Sequence, residues 1–212
     1  GHFTNSKNAE KKSTSDLEKL IENSEFGYWM RTGNKSTNDG TGQRYEEVFH
    51  QDEMKNERRI ISHARNDLTI NSVLGKDGKK YTVSSALEKK IDWIQIDIGF
   101  LTEQEKETVL SLSKYAVVNG SHTVMGEILG GKAKPIIGIP IYDEHTNNIK
   151  WAEDKNLGIL AVNTMQVIEA ISKIKEDYNI FEENLIDFSK NFVPNGAENT
   201  AKIVANILEE KK

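Results

Sequence analysis

Residues 119–131, NGSHTVMGEILGG, gather the groups in this sequence best suited to chemistry. The apolar run YAVVN (115–119) ends in Asn119, Gly120 permits a sharp turn, and Ser121, His122 and Thr123 open a helical stretch over 122–130. The N–H groups of a helix start lack intrahelical acceptors and sit at the positive end of its dipole. Such a start attracts an anion, and the Ser121 and Thr123 hydroxyls add donors. On a wheel at ~100° per residue, Val124, Met125, Ile128 and Leu129 fill one arc, which must face a sheet. Thr123, Gly126, Glu127 and Gly130 fill the opposite arc, where a solvated helix normally carries lysine, glutamate and glutamine. Two interior glycines cost about 1 kcal/mol each relative to alanine, so something should come close to this face. It is either a ligand or another helix packed tightly over the glycines, with Glu127 then an ordinary surface residue. Glu127 lies too far past Ser121 to be the carboxylate of a capping box.

Two further junctions carry polar groups after apolar runs. In PIYDEHTNN (140–148), Asp143, Glu144 and His145 cluster ahead of a helical stretch over 144–155. Asp143 there is an N-cap, or all three side chains grip the hydroxyls of a polyol. His122, Asp143 and His145 could in principle meet at a metal, but no HExxH or comparable ligand spacing supports one, and no metal is expected. The segment RTGNKSTNDGTGQRY (31–45) follows the first strand and holds Gly33, Gly40 and Gly42. It lacks the Gly-Lys-Ser/Thr of a P-loop, and Tyr45 stands where the dinucleotide fingerprint needs glycine or alanine. It reads as a loop before a helix over 43–50, with a phosphate-contacting role left open. The cluster SHARND (62–67) reads as a loop polar network, Asp92 and Asp97 as turn and sheet-edge residues, and the charge-rich stretch 169–190 as a solvated helix face. There is no GxSxG and no recognisable Ser-His-Asp arrangement.

The elements that must position these groups alternate. Residues 3–15 are polar and read as a flexible lead-in behind a tag remnant, Gly1-His2. From Asp16 to Lys212 the pattern reads as one domain. Leu17, Leu20 and Ile21 are spaced for a helix behind Ser15-Asp16. Strands are expected at 26–30, 58–62, 93–100, 115–119, 134–141 and 158–162. Helices are expected at 103–113, 122–130, 144–155, 164–177 and 197–210. Gly75 to Gly78 makes a turn between two short extended pieces, and 84–90 reads as one or two helical turns. Alternating strands and helices imply an α/β fold, a doubly wound, mainly parallel, Rossmann-like sheet of about six strands. The run 115–119, apolar on both faces, belongs near its centre.

Composition narrows the function classes. The 212 residues carry 28 Lys+Arg against 33 Asp+Glu, a formal charge of -5, and no cysteine. A nucleic-acid partner needs a basic stripe that this balance does not suggest. Without cysteine there is no disulfide scaffold, Cys₄ zinc site or thiol nucleophile. No apolar run approaches the ~18 residues of a membrane helix. A cytoplasmic protein is expected.

The block 92–162 resembles the C-terminal, donor-binding half of GT-B glycosyltransferases of the family 28 type. The residues that carry this resemblance are YAVVN, GSHTVMGE, GKAKPIIGIP and YDEHTNNIKWAEDKNLG, in that order and spacing. The resemblance implies a UDP-sugar donor and no separate cofactor. Ser121, His122, Thr123 and the loop with Gly33 would meet the phosphates, and Glu127 the ribose hydroxyls. The backbone at Gly99, Phe100 and Leu101 would receive the uracil, and Asp143, Glu144 and His145 would face the transferred sugar. That sugar would be a hexosyl group, N-acetylglucosamine or similar. The sequence departs from the family at Ser121, where a second glycine is usual, at Gly126, an added small residue, and at His145, where glutamine is commoner. An acceptor-binding lobe would have to come from the same natural chain or a separate subunit. It would carry the general base and any association with a membrane. A UDP-sugar epimerase is an alternative, although it should carry an arginine after the GIP strand and residues 66–212 contain none. A non-catalytic nucleotide-sugar-binding subunit is another.

Overall fold

A computed structural model describes residues 16–31, 41–63, 72–99, 101–131, 133–191 and 196–209, with the side chains of 31 and 41–44 excepted. In chain order, the helix over 16–21 (α1) is followed by β1 (Gly27–Arg31), α2 (Thr41–Phe49) and a 3₁₀ turn (Asp52–Met54). Then come β2 (Arg59–His63), β3 (Ser72–Gly75), β4 (Lys80–Tyr81), α3 (Val83–Glu88), β5 (Trp93–Ile98), α4 (Glu103–Leu112) and β6 (Tyr115–Val118). The second half holds α5 (His122–Gly130), β7 (Ile136–Gly138), α6 (Asp143–Glu153), β8 (Gly158–Leu160), α7 (Thr164–Glu176), α8 (Tyr178–Asn191) and α9 (Gly196–Glu209).

The strands form one eight-stranded sheet in the order β4-β3-β5-β2-β1-β6-β7-β8. Pairing is parallel from β5 through β8, whereas β3 runs antiparallel to both β5 and β4. The sheet is thus doubly wound and mainly parallel, as expected, with two more strands than the six anticipated. The extra pair is the β3–β4 hairpin that turns through Gly75–Gly78.

Because both faces are covered, successive strand residues serve two cores. Tyr28, Ile60, Ala116, Val118 and Ile136 point into one, beneath Leu110 of α4, Ile128 of α5 and Leu185 of α8. Trp29, Ile61, Tyr115, Val117 and Ile137 point into the other, against Tyr45 and Val48 of α2 and Val167 and Ile171 of α7. β6 is fully buried between β1 and β7, in the interior of the sheet.

The chain winds outward from β1 through β2 to β5, then returns to β6 and winds the other way through β7 to β8. Its direction therefore reverses between β1 and β6, which pair Gly27 with Tyr115 and Trp29 with Val117. In open α/β sheets the crevice outside the carboxyl ends of the strands at this reversal is where ligands bind. Segments 32–40 and 119–121 follow those two strand ends.

Candidate functional site

The turn after β6 is held from several sides. Gly120 has φ +84, and an ideal Cβ there would stand 2.6 Å from the Ile149 side chain and 3.0 Å from the His145 carbonyl oxygen. Ile149 also crowds the Cβ position of Gly138, at 2.3 Å. Two glycines at the ends of adjacent parallel strands thus make the notch that seats α6. The Ser121 N–H donates to Asn119 Oδ1 at 3.1 Å, and Asn148 Nδ2 donates to the Gly120 carbonyl at 3.0 Å.

This turn aims the start of α5 outward. Ser121 is its N-cap with φ −62 and ψ 149, but the Ser121 side chain makes no capping hydrogen bond, and the first turn holds no acidic residue. Val124, Met125, Ile128 and Leu129 are buried, whereas His122, Thr123, Gly126 and Gly130 are exposed. A Cβ on Gly126 would meet nothing within 4 Å. Among the described residues no helix lies close over Gly126, so tight packing does not account for that glycine.

Glu127 is half-buried and has a partner that the sequence did not suggest. Lys106 of α4 places its Nζ 3.1 Å from Glu127 Oε2 and 3.1 Å from Glu103 Oε1. Burial alone would lower the Lys106 pKa, but the hydrogen bonds to the two carboxylates outweigh it and leave it raised. On β1, the fully buried Tyr28 shares a 2.8 Å hydrogen bond with Ser62 Oγ. Burial, with a smaller contribution from the Glu127 charge, pushes the Tyr28 hydroxyl up to about 12.

After β5, Gly99 and Leu101 are buried, whereas Phe100 lies outside the described residues. Thr102 and Glu105 then close a capping box: Glu105 N–H donates to Thr102 Oγ1 at 3.2 Å, and Thr102 N–H donates to Glu105 Oε2 at 3.0 Å. The segment expected to receive the uracil is therefore fixed at its exit. Gly33 lies outside the described residues.

The start of α6 differs from expectation by one residue. Tyr142, not Asp143, is its N-cap, and it makes no side-chain capping bond. Asp143 and Glu144 are exposed in the first turn, and His145 is only 7% exposed. His145 packs edge-on against Tyr142 at 5.2 Å, and its Nδ1 is buried without a hydrogen-bond partner. The three clustered residues thus separate: two carboxylates outside, the imidazole inside. Of the trio His122, Asp143 and His145, the first two are exposed and the third buried. Among the described residues, no group of three or more His, Cys, Asp or Glu is placed to hold a metal ion.

An apolar groove of about 550 Å³ runs beside the open face of α5, lined by His122, Met125, Gly126, Asn148, Trp151 and Phe188. Trp151 and Phe188 meet edge-on at 5.9 Å across it. A separate polar network lies on β2 and β5. Arg59 Nε donates to Gln95 Oε1 at 2.8 Å, Gln95 Nε2 donates to both Asp97 oxygens, and His63 Nε2 stands 3.6 Å from Asp97 Oδ1. Asp97 is therefore an interior-strand residue in a ladder of side chains, not a sheet-edge one. Asp92 instead bridges Arg58 and Lys76, tying the start of β5 to the hairpin. No helix among the described residues is long and apolar enough to cross a membrane.

No protein-family model matches the sequence, and no curated protein does either. Solved structures do share its fold. Os79 from O. sativa in complex with UDP superposes with a TM-score of 0.60 at 14% identity, over 90% of this chain and 42% of its own. Phytolacca americana UGT2, complexed with UDP-2fluoro-glucose and pterostilbene, gives 0.58 at 11% identity, over 92% of this chain and 44% of its own. A ugt transferase from Siraitia grosvenorii in complex with UDP gives 0.56 at 16% identity, over 94% and 47%. The chain spans less than half the length of these structures. At such identities the likeness is one of fold: this sheet and its helices have the architecture of one Rossmann-like lobe of a GT-B glycosyltransferase.

Proposed function

We propose that the chain is the UDP-sugar-binding lobe of a glycosyltransferase that moves a hexosyl group, N-acetylglucosamine or similar, to an acceptor held by a second lobe. The observation that carries this reading is the coincidence, where the sheet reverses, of the clamped turn 119–121 with the open face of α5. The finer assignment to the family 28 type rests on the residues of 92–162 alone. Residues 16–212 are taken as the single donor lobe, in a cytoplasmic protein that could meet a membrane only through the acceptor lobe.

Charge decides where each part of the donor goes. α5 has no acidic residue in its first turn, whereas α6 opens with Asp143 and Glu144. A diphosphate is therefore favoured at the first and repelled at the second. The N–H groups of His122 and Thr123 and the hydroxyls of Ser121 and Thr123 receive the phosphates, with a further contact from the loop that holds Gly33. Glu127 takes the ribose diol, and Gly99 to Leu101 the uracil. Asp143 and Glu144 turn toward the sugar hydroxyls, which carboxylates accept well. His145, being buried, serves that end by packing beneath Tyr142.

In the transfer, the bond from the sugar to the diphosphate breaks as the acceptor oxygen attacks from the opposite face. Charge develops on the leaving phosphate, and preorganised N–H dipoles stabilise it. The acceptor must lose a proton to a base on the other lobe. The chain alone should then bind UDP-sugar without transferring it. Calorimetric titration with UDP-N-acetylglucosamine, followed by a transfer assay with and without the acceptor lobe, tests both parts. Failure to bind, or transfer by the chain alone, contradicts the reading.

A further inference from the structure

We infer that Lys106 is a positioning residue that holds Glu127 in the orientation needed to accept a vicinal diol, an inference that rests on the donor-lobe reading above. Lys106 is on α4 and Glu127 on α5, and their ion pair bridges two helices that leave different strands. The Lys106 side chain is only 14% exposed, against 87% for Glu103. Its ammonium lies between the exposed Glu103 carboxylate and the half-buried Glu127 carboxylate, within reach of both.

The geometry leaves Glu127 usable. A carboxylate offers about four lone-pair sites, and the Lys106 contact uses one of them, on Oε2. Oε1 makes no hydrogen bond to another described residue, and Glu127 remains 35% exposed on the side of the exposed Gly126. A glutamate on a bare helix face would otherwise sample many rotamers, since three side-chain torsions are free. Tyr28, which feels the Glu127 charge, is hydrogen-bonded to Ser62 and makes no hydrogen bond to Glu127. Glu103, on the far side of Lys106, would repel Glu127 were the cation absent. Lys106 thus fixes one oxygen so that the other is presented to two adjacent hydroxyls.

The test compares UDP with 2′-deoxy-UDP on the whole chain, since only the 2′-hydroxyl differs. The wild-type protein should prefer UDP at least tenfold. Lys106→Met should weaken UDP binding about five- to twentyfold, leave 2′-deoxy-UDP binding within twofold, and so largely abolish the preference. Lys106→Arg should retain it. Should Lys106→Met fail to fold, Lys106→Gln carries the same comparison. A variant that folds and keeps the wild-type preference overturns the positioning role while leaving the donor-lobe reading intact. Absence of UDP binding in the wild type overturns both. Wild-type binding without preference for the 2′-hydroxyl overturns the ribose role of Glu127, and with it this inference.

Discussion

The Ile149 side chain of α6 occupies the space that any side chain on Gly120 would need: an ideal Cβ there lies 2.6 Å from it. This couples the turn at the end of β6 to a second helix, so the start of α5 cannot shift without moving α6. Gly120→Ala should therefore cost both left-handed backbone strain, about 1–2 kcal/mol, and overpacking of about 1–3 kcal/mol. Urea unfolding should show a loss of that combined size, and UDP binding should fall with it. A stability within 0.5 kcal/mol of wild type would mean that the notch is looser than the geometry states.

Gly126 makes the opposite case. Nothing stands near its Cβ position, and an interior helical glycine replaced by alanine gains about 0.5–1 kcal/mol. Gly126→Ala should raise the melting temperature, and the bulkier Gly126→Leu should at the same time weaken UDP binding. A leucine variant that melts higher and binds UDP unchanged would place the ligand away from this face.

For Glu127→Ala, affinity and stability should separate. Losing a charged acceptor of the ribose hydroxyls should weaken UDP binding by roughly 1.5–3 kcal/mol. Lys106 keeps Glu103 as a partner, so the stability change should stay near that of a part-exposed ion pair, about 0–1 kcal/mol. Equal UDP affinity in calorimetry, or a large loss of stability, would make Glu127 a structural residue.

Much of the architecture was legible because a sheet covered on both faces writes continuous apolar runs. YAVVN and the GIP strand could hardly be anything else, whereas Gly75 to Gly78 reads only as a turn between two short extended pieces, which pair as the two strands beyond the six expected. The arcs of α5 were equally plain, since Val124, Met125, Ile128 and Leu129 repeat at helical spacing. Contacts that join distant elements were not legible. No local pattern links Lys106 to Glu127, or Asn148 to the Gly120 carbonyl, because those pairs exist only once the helices have packed. Asp97 reads as a sheet-edge residue for the same reason: His63 becomes its neighbour only when β5 lies beside β2, and Gln95, two residues away on the same strand, does not reveal that β5 is interior. The stretch 169–190 reads as a solvated face, yet Ile171 and Ile174 of α7 and Phe181 and Leu185 of α8 are buried. Charged residues around them mask the apolar spacing: α7 ends where the helix expected over 164–177 should end, but α8 is not among the expected helices.

Alkaline unfolding tests the environment beneath Glu127. An acid whose folded-state pKa is raised keeps its proton longer in the folded state. Its contribution is fully present below the unfolded value near 10 and is lost as pH rises toward the folded value of about 12. For Tyr28 that is about 2–3 kcal/mol lost across this window. Tyr115, raised by burial and by the Glu57 charge, acts in the same direction. Tyr28→Phe should therefore make stability fall less steeply between pH 10 and 12 than in the wild type. Identical slopes would mean that Tyr28 ionises freely in the folded protein.

Under the proposed function, the reversal point between β1 and β6 receives a uridine diphosphate. The most direct measurement is the thermal unfolding of the whole chain with added nucleotides. A ligand that binds only the folded state stabilises it by about 2.7 kcal/mol at a hundredfold excess over Kd, which for a domain of this size is a shift of roughly 5–10 °C. UDP and UDP-N-acetylglucosamine should produce that shift, and GDP or CMP a smaller one. An unchanged melting temperature in millimolar UDP, with another nucleotide raising it, would contradict the assignment.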